Sequence, residues 1–372
     1  MTDSRRAEAG SDSEEQARLH FFKGNELYLV RRFKEASEEF RAALRHKSGH
    51  PRSLYNLAMS ELGLDHLEEA ESLLRQAIAA DPDYREAHGN LILLYKRLDD
   101  YAAAEQCLER ARAKWPDDPN IIRMAEGFQR EAFARQAEAR RKQLTAYLAR
   151  ESGMKVLNGP FAGMLVNDKT SWGDGDIASR ILGCYEEELN DALERAIARS
   201  PSVVVNVGCA EGHFAIGLAR RLPDSTVFAH DISDDARRLC RETAEANGVA
   251  GHVTIDAACT HEILRRHLAG RDRALAVLDC EGAELYLLDP AAVPELECCD
   301  LIIECHDFLD RTITPTLFDR FSRTHDVEKV VEAGRNPNKY PLLHHMHSSD
   351  RWLVVSEGRP EFMHWLVCWS KR

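Results

Sequence analysis

Five polar residues close short apolar runs in the second half of this chain of 372 residues. Asn206 sits in "VVVNV", Asp231 ends "TVFAHD", Asp256 ends "VTID", Asp279 ends "ALAVLD" and Glu304 ends "LIIE". Glu281 lies two residues beyond Asp279, and His306 two beyond Glu304. Runs that are this apolar and β-branched read as strands covered on both faces. Ligands of a parallel sheet sit at the carboxyl ends of its strands, so these residues are expected to share one edge. Carboxylates there can hold a ribose diol, a cation or a reacting proton. A histidine, with an ordinary pKa of about 6.5, suits base catalysis near neutral pH. Any one of the acids could equally cap a following helix. Four at successive strand ends exceed chance placement.

The run "VVVNVGCAEGHFA" (Val203 to Ala215) reads as a buried strand, a turn and the start of a helix. Gly208 and Gly212 permit a sharp bend and a close approach of backbone to ligand. The spacing is G-x-x-x-G, with Ala210 where a dinucleotide-binding G-x-G-x-x-G would carry its second glycine. Asp231 follows Gly212 by nineteen residues, where such folds hold a ribose. Here the chain resembles a class I S-adenosylmethionine-dependent methyltransferase, with Asn206 replacing the acid usual at the end of the first strand. The resemblance implies an α/β Rossmann-like domain over residues 151–372 with a mostly parallel seven-stranded sheet. It implies S-adenosyl-L-methionine as cofactor, held by Asn206, Gly208, Gly212, Asp231, Asp256 at the adenine amine, Asp279 and Glu186.

The segments "NGPFAGMLV", "KTSWGDGD" and "ILGCYEEEL", which contains Glu186, precede the first strand. With "LDCEGAELYLL" and "LIIECHD" they are similar to the FkbM-type methyltransferases, whose D-x-E-G-x-E run is present as Asp279, Glu281, Gly282 and Glu284. That likeness implies methylation of a hydroxyl oxygen on a small molecule or sugar-like metabolite. Transfer from a sulfonium is a direct displacement, and alignment alone can supply roughly 7–11 kcal/mol. A base adds roughly 10²–10⁴-fold. His306 is the expected base, with Glu304 orienting it or touching the acceptor, and Asp279 and Glu281 lining the same pocket. Enzymes acting on amide or exocyclic nitrogens often carry an Asn/Asp-Pro-Pro-aromatic turn after the fourth strand. "LDCEGAE" has no proline, which argues against that chemistry. Glu281 and Glu304 could imitate the double-acid loop of protein-arginine methylation, but they follow different strands.

A second group, "LLHHMHSSDRW", offers His344, His345 and His347. These could meet His306 and Asp307 at a metal, yet the spacing fits no common zinc signature. The expectation is a pocket lid between the sixth strand "VEKVVEA" and the last, "FMHWLVCW", with no metal.

The first third repeats with a period of 34 residues. Gly24, Ala36, Phe40 and Ala43 recur as Ala58, Ala70, Leu74 and Ala77, then as Ile92, Ala104, Leu108 and Ala111. Small residues allow close helix crossing and large ones fill the seam, so residues 17–118 resemble three tetratricopeptide repeats, an all-α solenoid. Residues 119–150 read as a capping or linker helix, and residues 1–16 as a disordered tail. The repeats imply a groove for a protein or peptide partner. The net charge of −13 is uneven: residues 1–150 hold 25 Lys and Arg against 26 Asp and Glu, and residues 151–372 hold 24 against 36. So acidic a second half would repel phosphate backbones, arguing against nucleic-acid substrates. Ten cysteines without a C-x-x-C pair, no membrane-length apolar run and no signal-like start point to a cytoplasmic protein. Two rivals to a small-molecule enzyme stand: a methyltransferase of a protein or ribosomal peptide docked by the repeats, and a scaffold with a degenerate methyltransferase fold.

Overall fold

The computed structural model describes residues 2–171, 177–271 and 273–372, with side chains from residue 12 onward. The chain divides into two compact units, Met1–Arg135 and Gln136–Arg372.

The first unit is all-helical, built from α1 (Thr2–Leu29), α2 (Phe33–His46), α3 (Pro51–Gly63), α4 (Leu67–Ala80), α5 (Arg85–Arg97) and α6 (Tyr101–Lys114). Helix α7 (Pro119–Ser152) runs across the division. The recurrent positions form the seam: Ala36, Phe40, Ala58, Ala70, Leu74, Ala77, Ala104 and Ala111 are fully buried. A side chain on Gly24 would lie 2.6 Å from the Phe40 ring, so the small residue is a packing requirement. The period also shows in the backbone. Arg31, Asp65 and Asp99, 34 residues apart, all take left-handed φ (60°, 65° and 57°) in the turn between paired helices. Residues 2–16, whose composition predicts a disordered tail, instead continue α1. Their Ala, Glu and Arg content favours helix. Ser13 donates to the His46 carbonyl at 3.0 Å and Lys47 reaches Glu14 at 3.0 Å.

The second unit contains a mostly parallel seven-stranded sheet. Its strands are β1 (Val203–Val207), β2 (Thr226–His230), β3 (Val253–Asp256), β4 (Ala274–Leu278), β5 (Cys299–Glu304), β6 (His325–Val331) and β7 (His364–Ser370). The order is β3-β2-β1-β4-β5-β7-β6, with β7 antiparallel to both its neighbours. The central strands are buried throughout. Their alternate side chains feed two cores. Val204, Val277, Ile302 and Trp365 join one, while Val205, Leu278, Ile303 and Leu366 join the other. Edge strand β3 alternates instead, as a strand with one wet face must. Because β1 pairs with both β2 and β4, the order reverses beside it, and a crevice opens at the carboxyl ends. All ten cysteines are free thiols, and among the described residues no helix is long and apolar enough to cross a membrane.

Phe40→Ala should destabilise the helical unit by about 3–5 kcal/mol, the usual cost of emptying a large aromatic site in a core. Urea denaturation followed by helical circular dichroism reads this directly; a loss below about 1 kcal/mol would contradict the seam.

Candidate active site

The turn after β1 is held by glycine where nothing else fits. Gly208 has φ +79°, and a Cβ there would lie 1.5 Å from the carbonyl oxygen of Asp279. Gly212 has φ +97°, and a Cβ would meet Ile216 at 2.7 Å and Cys240 Sγ at 3.0 Å. Two backbone N–H groups, of Gly208 and Cys209, donate to the His230 carbonyl at 2.8 and 3.0 Å. Asp231, one residue beyond β2, ties the turn to the next loop. Its Oδ2 accepts from the Ala210 N–H at 2.9 Å and its Oδ1 from the Ser233 N–H at 2.8 Å. The exposed Asp256 ends β3 beside it, accepting the Asp231 N–H through its carbonyl at 3.2 Å. Asn206 is fully buried within the sheet: Nδ2 donates to the Val277 carbonyl at 3.1 Å, and Oδ1 has no hydrogen-bond partner. Next to Asp231 stands a residue that sequence reasoning passed over. Ile232 is 81% exposed, an apolar side chain at the crevice rim. Of "KTSWGDGD", residues 172–176 lie outside the described residues.

Across the crevice the ends of β4 and β5 carry a buried charge cluster. His306 is 2% exposed, and its Nδ1 donates to Glu284 Oε1 at 2.7 Å. Glu284 itself is fully buried and also accepts from the Gly282 N–H at 3.2 Å. His306 Nε2 faces three carboxylates: Asp279 Oδ1 at 3.6 Å, Glu281 Oε2 at 3.5 Å and Glu304 Oε2 at 3.6 Å. Burial alone would lower the His306 pKa, but the bond to Glu284 and the charges of Asp279 and Glu281 outweigh it and raise it. The same bond holds Glu284 below its ordinary value against the opposing effect of burial.

Glu186, with φ +50°, enters the cluster from the segment before β1. Its N–H donates to Glu357 Oε1 at 3.1 Å, its Oε1 accepts from Arg359 at 3.4 Å, and its Oε2 is buried without a partner. Burial pushes Glu186 well above the usual carboxylate range, and nearby Asp279 adds to this while Arg359 opposes it. Glu304 is pushed up likewise by burial, Asp279 and Glu186, although Arg359 donates to its Oε1 at 3.1 Å. Arg335 pairs with Glu188 and Glu357, both at 2.7 Å. Seven carboxyl groups (Glu186, Glu188, Asp279, Glu281, Glu284, Glu304, Glu357) thus face two guanidinium groups and one imidazole. Such a surplus favours a positively charged ligand, because buried charges are costly unless paired.

The structure therefore gathers His306, Glu304, Asp279, Glu281 and Glu186 into one cluster, and Gly208, Gly212, Asp231 and Asp256 around the adjoining turn. Sequence reasoning missed Arg335, Glu357 and Arg359, which lie in the connection between β6 and β7 without any motif around them. Glu284 was visible in D-x-E-G-x-E, but not its place beneath His306. The three other histidines part ways. His344 Nε2 is 3.1 Å from the Asn338 carbonyl, His345 stacks edge-on against Tyr147, and His347 Nδ1 contacts Ser349 at 2.8 Å.

Gly208→Ala should disrupt both the turn and the Asp279 backbone it abuts. The expected result is a lowered thermal midpoint together with loss of ligand binding, whereas Gly251→Ala, with open space around it, should leave both unchanged.

The tetratricopeptide repeat family matches the chain twice, over residues 21–84 and over residues 61–125, so this part of the chain consists of such repeats. The chain is 31% identical over 143 residues to release factor glutamine methyltransferase of Chlorobaculum tepidum, a match covering 36% of this chain and 44% of that protein. It is 40% identical over 52 residues to trans-aconitate 2-methyltransferase of Rhodococcus jostii, covering 14% and 20%. The chain thus spans less than half the length of either curated relative. Among solved structures, the Sgt2 tetratricopeptide domain from Aspergillus fumigatus is similar with a TM-score of 0.30 at 20% identity, covering 32% of this chain and 81% of that one.

Proposed function

We propose that residues 136–372 are a class I S-adenosylmethionine-dependent methyltransferase of the FkbM type that methylates a hydroxyl oxygen. The observation carrying this reading is the Gly208 turn at the switch point of a mostly parallel seven-stranded sheet, with Asp231 one residue past the neighbouring strand. Partial likeness to two methyltransferases supports it. The residues of this crevice fit the cofactor. The exposed Ile232 offers an apolar face to a purine, Asp231 an acceptor to the ribose, and the orphaned Glu186 Oε2 an acceptor to an ammonium group. The cofactor supplies a methyl group on a cationic sulfur. The chain supplies alignment and negative charge around it. Asp279, Glu281, Glu304 and His306 form the acceptor's side of the pocket and are the proposed catalytic residues.

Ile232, next to Asp231 in the chain, is 81% exposed, and Leu309, beside Gly282 of the acidic run, is 55% exposed. Exposed large apolar groups at a ligand crevice suit an acceptor with an apolar body that carries its hydroxyl into the acidic cluster. A second reading, a peptide acceptor docked by the repeats, draws support from the repeats themselves and from a relative whose name specifies a protein substrate.

Isothermal titration with S-adenosylmethionine and S-adenosylhomocysteine tests the cofactor. Asp231→Ala should weaken binding about 10- to 100-fold, since hydrogen bonds to a charged group contribute roughly 1.5–3 kcal/mol. An absence of binding by the unaltered protein would sink the reading. Removing residues 1–118 should leave cofactor affinity unchanged, and loss of turnover on a peptide but not on a small hydroxyl compound would favour the docked acceptor.

A further inference from the structure

We propose that Asp279, Glu281 and His306 bind a divalent metal ion, with Glu304 completing the donor set. The ligating atoms of the first three all lie within 4.8 Å of one another. From His306 Nε2, the three carboxylate oxygens stand at 3.5–3.6 Å. Neighbouring ligands about 2.1 Å from a metal are about 3.0 Å apart in an octahedron and about 3.4 Å apart in a tetrahedron, so the observed spacing is close to that of a coordination polyhedron. An imidazolium paired with a carboxylate would instead draw one oxygen to about 2.8 Å. Glu284 has done that on the other side of the ring, at 2.7 Å.

That second contact is the independent argument. His306 is 98% withdrawn from solvent, its Nδ1–H is spent on a fully buried carboxylate, and Nε2 is left without a hydrogen bond, aimed into the carboxylates. Metal-bound histidines regularly show this arrangement, with the far ring nitrogen donating to a carboxylate that fixes tautomer and orientation. The arginines leave Asp279 and Glu281 to the site: Arg335 pairs with Glu188 and Glu357, while Arg359 pairs with Glu186, Glu188 and Glu357 and takes only Oε1 of Glu304, whose Oε2 faces His306. One imidazole among several carboxylates suits Mn²⁺ or a similar borderline-hard cation better than a thiolate-loving metal. Resting on the methyltransferase reading, the ion would present open positions to the oxygen of the acceptor at the ends of β4 and β5.

The test uses the full chain, stripped with a chelator and titrated with MnCl₂ alone, free Mn²⁺ being followed by electron paramagnetic resonance. One tight site per chain is expected. Asp279→Asn and Glu281→Gln should each weaken it at least tenfold; the Glu281 side chain is 55% exposed, so that variant keeps its fold. Glu284→Gln should weaken it 10- to 100-fold, as loss of an outer partner does. Among the described residues, Glu61, His66 and Glu69 in the helical unit form the other compact donor group, so His66→Ala should leave the tight site intact. Absence of stoichiometric Mn²⁺ binding, indifference to Glu281→Gln, or loss with His66→Ala would each overturn the assignment. Because no cofactor is present, failure of S-adenosylmethionine binding leaves this outcome untouched.

Discussion

The contact between Gly208 and the carbonyl of Asp279 governs the geometry of the second unit's crevice. It brings the turn after β1 against the end of β4, and no residue with a Cβ could stand there. Through it the glycine turn, anchored by Asp231, and the acidic cluster, begun by Asp279, become neighbours separated by one backbone. A ligand whose one end meets the first must present its other end to the second. The parallel register of β2, β1 and β4 supplies the rest, since it aligns the ends of the three strands to the same edge.

The electrostatics follow from that edge. Strands buried on both faces leave few places for polar side chains except their ends, so acids from β4, β5 and the segment before β1 converge. Solvation is lost faster than partners are gained: Glu186 and Glu304 stay well above ordinary carboxylate behaviour although Arg359 touches both. Replacing such a cluster by apolar residues would usually cost a fold nothing. Both the sulfonium reading and the metal reading proposed above draw on the same surplus of carboxyl groups. They use different members of it. Glu186 meets Glu357 and Arg359, whereas Glu281 faces His306 Nε2.

The helical unit obeys a simpler constraint. Small residues along the seam, with Gly24 against Phe40 and buried Ala36, Ala58, Ala70 and Ala77, let helices approach, and the left-handed residues Arg31, Asp65 and Asp99 reverse the chain at the same point of each repeat. The period is legible because each repeat packs chiefly on its neighbours in sequence. Residues 2–16 escaped because composition alone cannot distinguish a polar tail from a polar helix that has α2 to lie against.

In the second unit, sequence alone determined which residues end strands and where glycine was needed. Periodicity and backbone conformation are local properties, so Asp231, Asp256, Asp279, Glu304 and the Gly208 turn could be named from the chain. What only tertiary structure decided is who faces whom. Arg335, Glu357 and Arg359 come from the connection between β6 and β7, and β7 inserts antiparallel between β5 and β6. Residues more than fifty positions away in sequence thereby become partners of Glu304 and Glu186. The same long-range closure put Glu284 under His306 and sent His344, His345 and His347 elsewhere. Strand ends are written in neighbouring residues. The pairing of charges across a crevice depends on loop closure and burial, which no local pattern encodes.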